Sequence, residues 1–342
     1  MSVETLSVLW YLVIIAAMIC YAVLDGFDLG VGSLHLFAKS DEERRVLLNA
    51  IGPVWDGNEV WLVIVGGALF AGFPEAYATL ASGFYNMIMI FLTGLIFRAV
   101  AIEFRSKMAS TAWRKSWDVV FCVASLIIAF GIGFILGNLT TGIPLDSHRD
   151  FVGNFSDFFN PFSLLLGITG ISLFSMHGAI YLCMKTEGDL HEKICTWVNW
   201  CISFFLLCYA ATTIATFLYM PHMIEPMRRM PLLFAVPIIA FLAILNIPFQ
   251  ISRKNHGWAF ISSSLSITLL LALYAVGTFP TLIRSSINPQ MNSLFISNAA
   301  SSRLTLEVLL IIVAIGLPLV FAYGFYVYRV FRGKVKIEKT SY

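Results

Sequence analysis

Long apolar runs separated by short polar segments extend over almost the whole chain, a pattern typical of helices that cross a membrane. At about 20 apolar residues per crossing, the runs predict nine spans, which lie near residues 6–38, 45–70, 77–104, 117–139, 161–184, 194–219, 231–250, 257–280 and 304–330. Pro53, Pro237 and Pro318 fall within these runs, where each should kink its helix. We therefore expect an all-α integral membrane protein made of a single polytopic domain.

The basic residues predict how the chain is oriented. With the N-terminus outside, 16 Lys and Arg residues fall on inner loops and the tail, 5 fall on outer segments, and Arg98 alone lies within a span, which accounts for all 22. Inner loops of membrane proteins carry the excess of Lys and Arg. We therefore expect the N-terminus outside and the C-terminus inside, which requires an odd number of spans.

Composition agrees with a membrane protein. The chain is 58% hydrophobic and 12% charged, whereas a soluble domain is about half apolar and a quarter charged. Its net charge of +2 gives no reason to expect nucleic acid as a partner. We expect membrane lipids to surround it instead.

The residue types that bind metals are poorly placed for that purpose. Six cysteines, none in a C-x-x-C pair, lie in or beside apolar runs, and we interpret them as small core residues rather than metal or iron–sulfur ligands. Of the six histidines only His177 lies deep in a span, whereas a bis-histidine haem needs two on facing helices. A hydrogen-bonded core histidine is the favoured interpretation of His177, with an axial ligand as the alternative. We expect this chain to bind neither haem nor metal.

Acidic side chains in the first two spans are the strongest functional signal. They form two pairs spaced i, i+3, and these are Asp25 with Asp28 and Asp56 with Glu59. Charged groups at membrane depth cost about 3 kcal/mol or more and usually serve a function. Around a turn centred near residue 42, Asp28 and Asp56 are each 14 residues away and Asp25 and Glu59 are each 17, which predicts two level rungs of carboxylates.

Carboxylates this close cannot all ionise cheaply, so a chain of shared protons is the favoured interpretation. The alternative is that the acids only hydrogen-bond to neighbouring helices. Arg98 is interpreted either as their counter-ion or as a partner for another subunit. Trp55 and Trp61 bracket the second acidic pair, and helix packing is the favoured role for both.

Several stretches resemble subunit II of cytochrome bd-type quinol oxidases. They are LDGFDLGVG, WDGNEVWL, GGALFAGFPEAYA, SGFY, FRAVAIEFRSK, WRKSWD, GNLTTGIP and NPFSLLLGI, with SSSL and TLEVLL further along the chain. The resemblance runs the whole length and is dense to about residue 165, and the pairing of LDGFDLG with WDGNEVWL is highly specific.

The resemblance implies a terminal oxidase that oxidises quinol and reduces oxygen to water in a bacterial cytoplasmic membrane. It implies two four-helix bundles, within 1–139 and 161–280, and a peripheral helix with a cytoplasmic tail over 304–342. Two b-type haems and haem d would reside in the partner, subunit I, so this chain would hold no catalytic residue and no cofactor. A small single-helix accessory subunit is a further candidate partner under this resemblance, and the sequence does not decide whether one attaches.

Site residues are implied position by position. Asp25, Asp28, Asp56 and Glu59, with Asn58 and Arg98 beside them, would contribute to a proton path from the cytoplasm. A route for oxygen would open near Trp61, with Trp55 close by. Two other functions stay open, an ion-coupled transporter and a purely structural assembly subunit whose acids bind the partner chain.

Overall fold

A computed structural model describes residues 1–335 of the chain. The helices are α1 (Val3–Leu34), α2 (Asp41–Ile51), α3 (Trp55–Gly72), α4 (Pro74–Gly83), α5 (Tyr85–Phe104), α6 (Thr111–Thr141), α7 (Pro161–Lys185), α8 (Gly188–Tyr219), α9 (Glu225–Arg229), α10 (Ala235–Ser252), α11 (His256–Thr278), α12 (Pro289–Asn292) and α13 (Arg303–Val330). Two short strands are β1 (Thr281–Ile283) and β2 (Leu294–Phe295). The predicted tail with Lys336 and Lys339 lies outside the described residues.

The structure has the predicted nine spans when one bent pair of helices is counted as a single span. Within residues 1–335, eight helices are long and apolar enough to cross a membrane, and α2 with α3 makes a ninth that bends by 51°. The bend falls between Ile51 and Trp55, at the position of Pro53, as the sequence predicted. The second span is therefore a broken helix.

Two details of the predicted spans are wrong. The run 77–104 is two helices, because the chain breaks at Phe84, whose buried ring packs against Phe158 with ring centroids 4.6 Å apart. Phe158 lies in the segment between α6 and α7, and the contact holds Phe84 at the point where α4 and α5 separate. Pro237 lies in the first turn of α10, where its missing N–H breaks no helical bond, and the proline inside α10 is Pro248.

The spans form two bundles around α1. In the first, α1 packs against α3 and α6, and α5 packs against α6; in the second, α7 contacts α8 and α11, and α10 contacts α11. Helix α13 contacts α1 and α3, and only 6% of its most apolar 18-residue stretch is buried. It therefore lies at the periphery. The expected pair of four-helix bundles with a peripheral helix is what the structure has.

The two bundles meet where glycines let α1 and α7 touch. A Cβ added to Gly30 would lie 1.9 Å from the Phe174 carbonyl oxygen, and one on Gly178 would lie 2.5 Å from the backbone of Gly30. Only glycine fits at both positions without moving a helix. This contact sets the position of the acidic residues on α1 relative to the second bundle.

Segments at the predicted outer end form a small cap that the sequence pattern did not predict. Strands β1 and β2 pair antiparallel, with Thr281 opposite Phe295 and Ile283 opposite Leu294. Ile143, just after α6, donates its N–H to the Arg284 carbonyl at 2.9 Å. Gly142 adopts φ +93° there, a conformation that favours glycine. The cap joins the two bundles at their predicted outer ends.

Candidate functional site

Arg98 holds two of the predicted acids together inside the first bundle. Its Nη1 and Nη2 donate to the two carboxylate oxygens of Asp25 at 2.9 and 2.7 Å, and Nη2 also donates to Glu59 Oε2 at 3.0 Å. The side chains of Arg98 and Asp25 are 1% and 0% exposed, whereas Glu59 is 20% exposed. Arg98 on α5 is thus the counter-ion that joins α1 to α3, and the predicted rung of Asp25 and Glu59 exists as a bridged pair.

Asp28 lies one turn further along α1 with a different set of partners. It is 1% exposed, and its Oδ2 accepts a hydrogen bond from Asn58 Nδ2 at 2.7 Å, while its Oδ1 has no partner. Asn58 Oδ1 in turn accepts from the hydroxyl of Tyr328 at 2.8 Å. Within residues 1–335 no cation contacts Asp28. A buried carboxyl group without a counter-ion lies next to a chain of neutral polar groups.

Asp56 does not form the predicted rung with Asp28. Asn58 takes that place, and Asp56 is exposed. Residues two apart on a helix point about 200° apart, so Asn58 facing α1 turns Asp56 outward. The rung prediction counted residues along an unbroken helix from the turn, and the 51° bend before Trp55 changes which side chain of α3 faces Asp28. Asp56 is instead in the first turn of α3, where the helix dipole favours a negative charge.

Both tryptophans are packed against neighbouring helices. Trp61 is 3% exposed, contacts Ala17 and Tyr21 of α1, and its ring centroid lies 5.4 Å from that of Phe321 on α13. Trp55 is 9% exposed and belongs to the hydrophobic core that also contains Phe27, Ile51 and Tyr181. Helix packing accounts for both, and an oxygen route beside them stays a prediction.

The model of one protein family, cytochrome bd terminal oxidase subunit II, matches residues 6–331. The chain belongs to this family. Two relatives are each 33% identical to it. "Cytochrome bd-I ubiquinol oxidase subunit 2" of Escherichia coli (strain K12) aligns over 98% of this chain and 96% of its own. "Cytochrome bd ubiquinol oxidase subunit 2" of Bacillus subtilis (strain 168) aligns over 96% of each.

A solved structure agrees with the family assignment. A chain in "The structure of bd oxidase from Geobacillus thermodenitrificans" superposes with a TM-score of 0.79 at 16% identity, covering 96% of this chain and 98% of that one. At this identity the match shows the fold alone. The fold of this subunit II is therefore that of a bd oxidase chain.

Because the family is one of cytochromes, the histidines of this subunit II can be tested for fit to a haem. His177 Nδ1 lies 2.7 Å from Ser263 Oγ, and its Nε2 donates to the Val23 carbonyl at 3.0 Å, so both ring nitrogens are engaged. The other fully buried histidine, His35, is bound to Asp118 through Nε2, and its Nδ1 has no partner. An axial ligand needs an available nitrogen facing the iron. His177 therefore does not fit as a haem ligand.

Sequence reasoning missed two groups of residues near the acids. The first is Tyr328 of α13, because no sequence feature near residue 328 predicts that this tyrosine contacts Asn58. The other is an ion-pair network where α1, α2, α5 and α6 meet: Asp118 accepts from His35, Arg44 and Arg105 while 1% exposed. The available signal was that Asp118 is the sole acid of α6 and begins a long apolar run. This network joins the four helices at the predicted inner end of the first bundle.

Proposed function

We propose that this chain is the haem-free subunit of a membrane oxidase that oxidises quinol and reduces oxygen to water, and that it carries protons toward that reaction. Membership of the bd oxidase subunit II family supports the reaction, and the names of its relatives support quinol as the reductant. The partner would be subunit I, holding two b-type haems and haem d, with a small single-helix subunit as a further partner. The location would be a bacterial cytoplasmic membrane.

The observation that carries the proton role is the charge balance around Asp28. Within residues 1–335, Arg98 is the one cation that contacts any of Asp25, Asp28 and Glu59, and it binds Asp25 and Glu59. Ionising all three acids would leave two uncompensated negative charges in the bundle, which is costly in a medium of low dielectric constant. Arg98 binds Asp25 through both oxygens and Glu59 through one, so Asp28 is the acid best placed to hold a proton. A carboxylic acid at this position can both donate and accept a proton.

The acids also form a graded series from surface to interior. Asp56 is exposed, Glu59 one turn later on α3 is half-buried, and Asp25 and Asp28 are fully buried. In the proposed path protons enter at Asp56 and Glu59 and reach Asp28 through the Arg98 cluster. Asn58 orients the Asp28 carboxyl group, and Tyr328 fixes the amide of Asn58. The haems held by the partner would supply electrons to oxygen, and the residues of this chain would move the protons.

Replacing the central acid tests the proposal. Asp28→Asn keeps the shape of the side chain and its bond to Asn58 but removes the ionisable proton. Oxygen consumption by the purified complex with quinol should fall about tenfold or more, equivalent to about 1.4 kcal/mol in the barrier, with an unchanged haem spectrum. Glu307→Gln, which removes an acid from an exposed pair with Arg303 on α13, is the matched control and should keep wild-type turnover. Wild-type turnover in Asp28→Asn would refute the proton role while leaving the family membership intact.

A structural role for the acids is the second candidate, because Arg98 does bind α1 to α3. The two roles differ in what else changes in Asp28→Asn. A proton role predicts a larger solvent isotope effect and an altered pH profile of turnover, whereas a structural role predicts a loss of assembled complex with normal turnover per haem. The transporter alternative loses support, because the relatives are named as oxidase subunits.

A further inference from the structure

Two cysteines and two histidines meet at the predicted cytoplasmic end of the second bundle, away from the acidic cluster. Ligand atoms of Cys183, Cys195 and His256 all lie within 4.8 Å of one another. The Cys183 and Cys195 Sγ atoms are 3.2 Å apart, and His191 Nε2 lies 3.5 Å from Cys195 Sγ. The rings of His191 and His256 meet edge to face with centroids 5.0 Å apart.

Three separate elements bring these side chains together. Cys183 is in the last turn of α7, and a turn of two residues leads to α8, which begins at Gly188. His191 and Cys195 are spaced i, i+4 on α8 and so lie on one face of it. His256 is the first residue of α11. Because the ligands come from three elements, no compact sequence motif marks them, and the six cysteines were interpreted as core residues.

The histidines have unused bonding capacity. The Nδ1 atoms of both His191 and His256 are buried and make no hydrogen bond. Buried polar atoms are nearly always bonded, and those that are not call for an explanation such as an ion. The two histidines differ in this respect from His177, whose ring nitrogens are both engaged.

We propose that Cys183, Cys195, His191 and His256 bind one Zn²⁺ ion. Two thiolates and two imidazoles are a ligand set of structural zinc sites, and soft sulfur ligands disfavour Mg²⁺ and Ca²⁺. Tetrahedral zinc with Zn–S bonds of about 2.3 Å places its two sulfurs roughly 3.8 Å apart. The observed sulfur–sulfur separation of 3.2 Å differs from that value by an amount that side-chain rotation can supply.

Local charge and access suit such an ion. Two thiolates neutralise Zn²⁺ as they bind it, releasing their protons to solvent. An open cavity of about 480 Å³, lined by His191, Cys195 and His256 among others, connects the ligands to the surface.

A disulfide between the two cysteines is the competing chemistry. The sulfur atoms at 3.2 Å are well outside the bonding distance of about 2.05 Å. The cluster also lies at the end of the second bundle that is predicted to face the cytoplasm, where thiols stay reduced. Bound zinc would tie the α7–α8 turn to the start of α11 at that end of the bundle.

Metal analysis of the intact complex tests the proposal. The complex is purified under reducing conditions, incubated with zinc chloride and desalted, and its zinc is measured by mass spectrometry per mole of this chain. We expect about one zinc per chain in the wild type and at least a fivefold loss in Cys183→Ser and in Cys195→Ser. Cys201 is a buried cysteine on α8, the helix that carries Cys195, and it is not in the cluster. The control variant Cys201→Ser should therefore keep the zinc.

A second measurement on the wild type covers the case in which a variant fails to assemble. Alkylation of Cys183 and Cys195, followed by peptide mapping, should rise about fivefold or more after a zinc chelator, with Cys201 labelling unchanged. Absence of zinc from the wild type, copper or iron in its place, a Cys183–Cys195 disulfide, or chelator-independent labelling would each overturn the proposal.

Discussion

At the scale of single residues, Arg98 is the group on which the buried acids depend. It is 1% exposed and contacts both Asp25 and Glu59, so the two carboxylates share its single positive charge. The sequence identified this arginine because it is the sole basic residue within a span. What the sequence left open was its partner, since residues 25 and 98 lie on helices α1 and α5, which are brought together because both pack against α6.

Removing this cation should destabilise the subunit strongly. Arg98→Met leaves the buried carboxylate of Asp25 and the half-buried carboxylate of Glu59 without the cation that binds them, and breaking a buried pair in this way costs about 3–5 kcal/mol. We expect the yield of assembled complex and its thermal midpoint in detergent to fall. Arg303→Met, which breaks an exposed pair with Glu307, should cost under about 1 kcal/mol and serves as the control. Equal stability of the two variants would contradict the assigned role of Arg98.

The site residues show which inferences a sequence supports. Asp25, Asp28 and Glu59 could be selected because charge inside an apolar run is costly. Asp56 has the same local pattern yet is exposed, because the break before α3 turns the helix and presents Asn58 to α1. Tyr328 could not have been selected, since it reaches Asn58 from 270 residues along the chain.

At the scale of elements, the contact between α1 and α7 joins the two bundles. Its glycines allow backbone to touch backbone, so a single methyl group should separate the helices. Gly178→Ala should cost about 1–3 kcal/mol or more, because the added carbon would lie 2.5 Å from backbone atoms that cannot rotate away. Gly324→Ala on α13, where a Cβ meets nothing within 4 Å, should leave stability unchanged. The readout is the thermal midpoint of the purified complex, and matched midpoints would contradict the contact.

Helix α13 is attached to the first bundle through few contacts, of which the Tyr328 hydrogen bond to Asn58 is one. Tyr328→Phe removes this bond and should cost about 1 kcal/mol. Because the same bond fixes the amide that orients Asp28, turnover should fall as well, by a factor smaller than in Asp28→Asn. Tyr326→Phe changes an exposed tyrosine on the same helix and should alter neither quantity. Identical turnover in the two variants would remove Tyr328 from the proton path.

Element boundaries were predictable where the chain carries local signals. Asn160 caps α7 by accepting the N–H of Ser163 at 2.9 Å, and Pro161 begins that helix. The break at Phe84 and the strands β1 and β2 were not predictable, because each depends on contacts between segments distant in sequence. The 51° size of the bend after α2 likewise has no local signal beyond Pro53.

At the scale of the whole molecule, hydrophobic patterning accounts for the two-bundle membrane fold, and the distribution of Lys and Arg predicts its orientation. A fluorescent protein that folds only in the cytoplasm should therefore be fluorescent when fused after Tyr342, whereas alkaline phosphatase fused there should be inactive. Fusions after Asp157, in the predicted outer loop, should give the opposite results. Active phosphatase at the C-terminus would reverse the orientation and with it the direction of the proton path.

Proton uptake by the intact complex is the most direct test of the account. The complex is reconstituted in vesicles that hold a pH dye on the side to which the C-terminus is exposed, fully reduced with quinol, and given one pulse of oxygen. The account predicts that Asp28→Asn slows alkalinisation on that side about tenfold or more, while Glu307→Gln behaves as the wild type. Proton uptake at the wild-type rate in a fully assembled Asp28→Asn complex would contradict it.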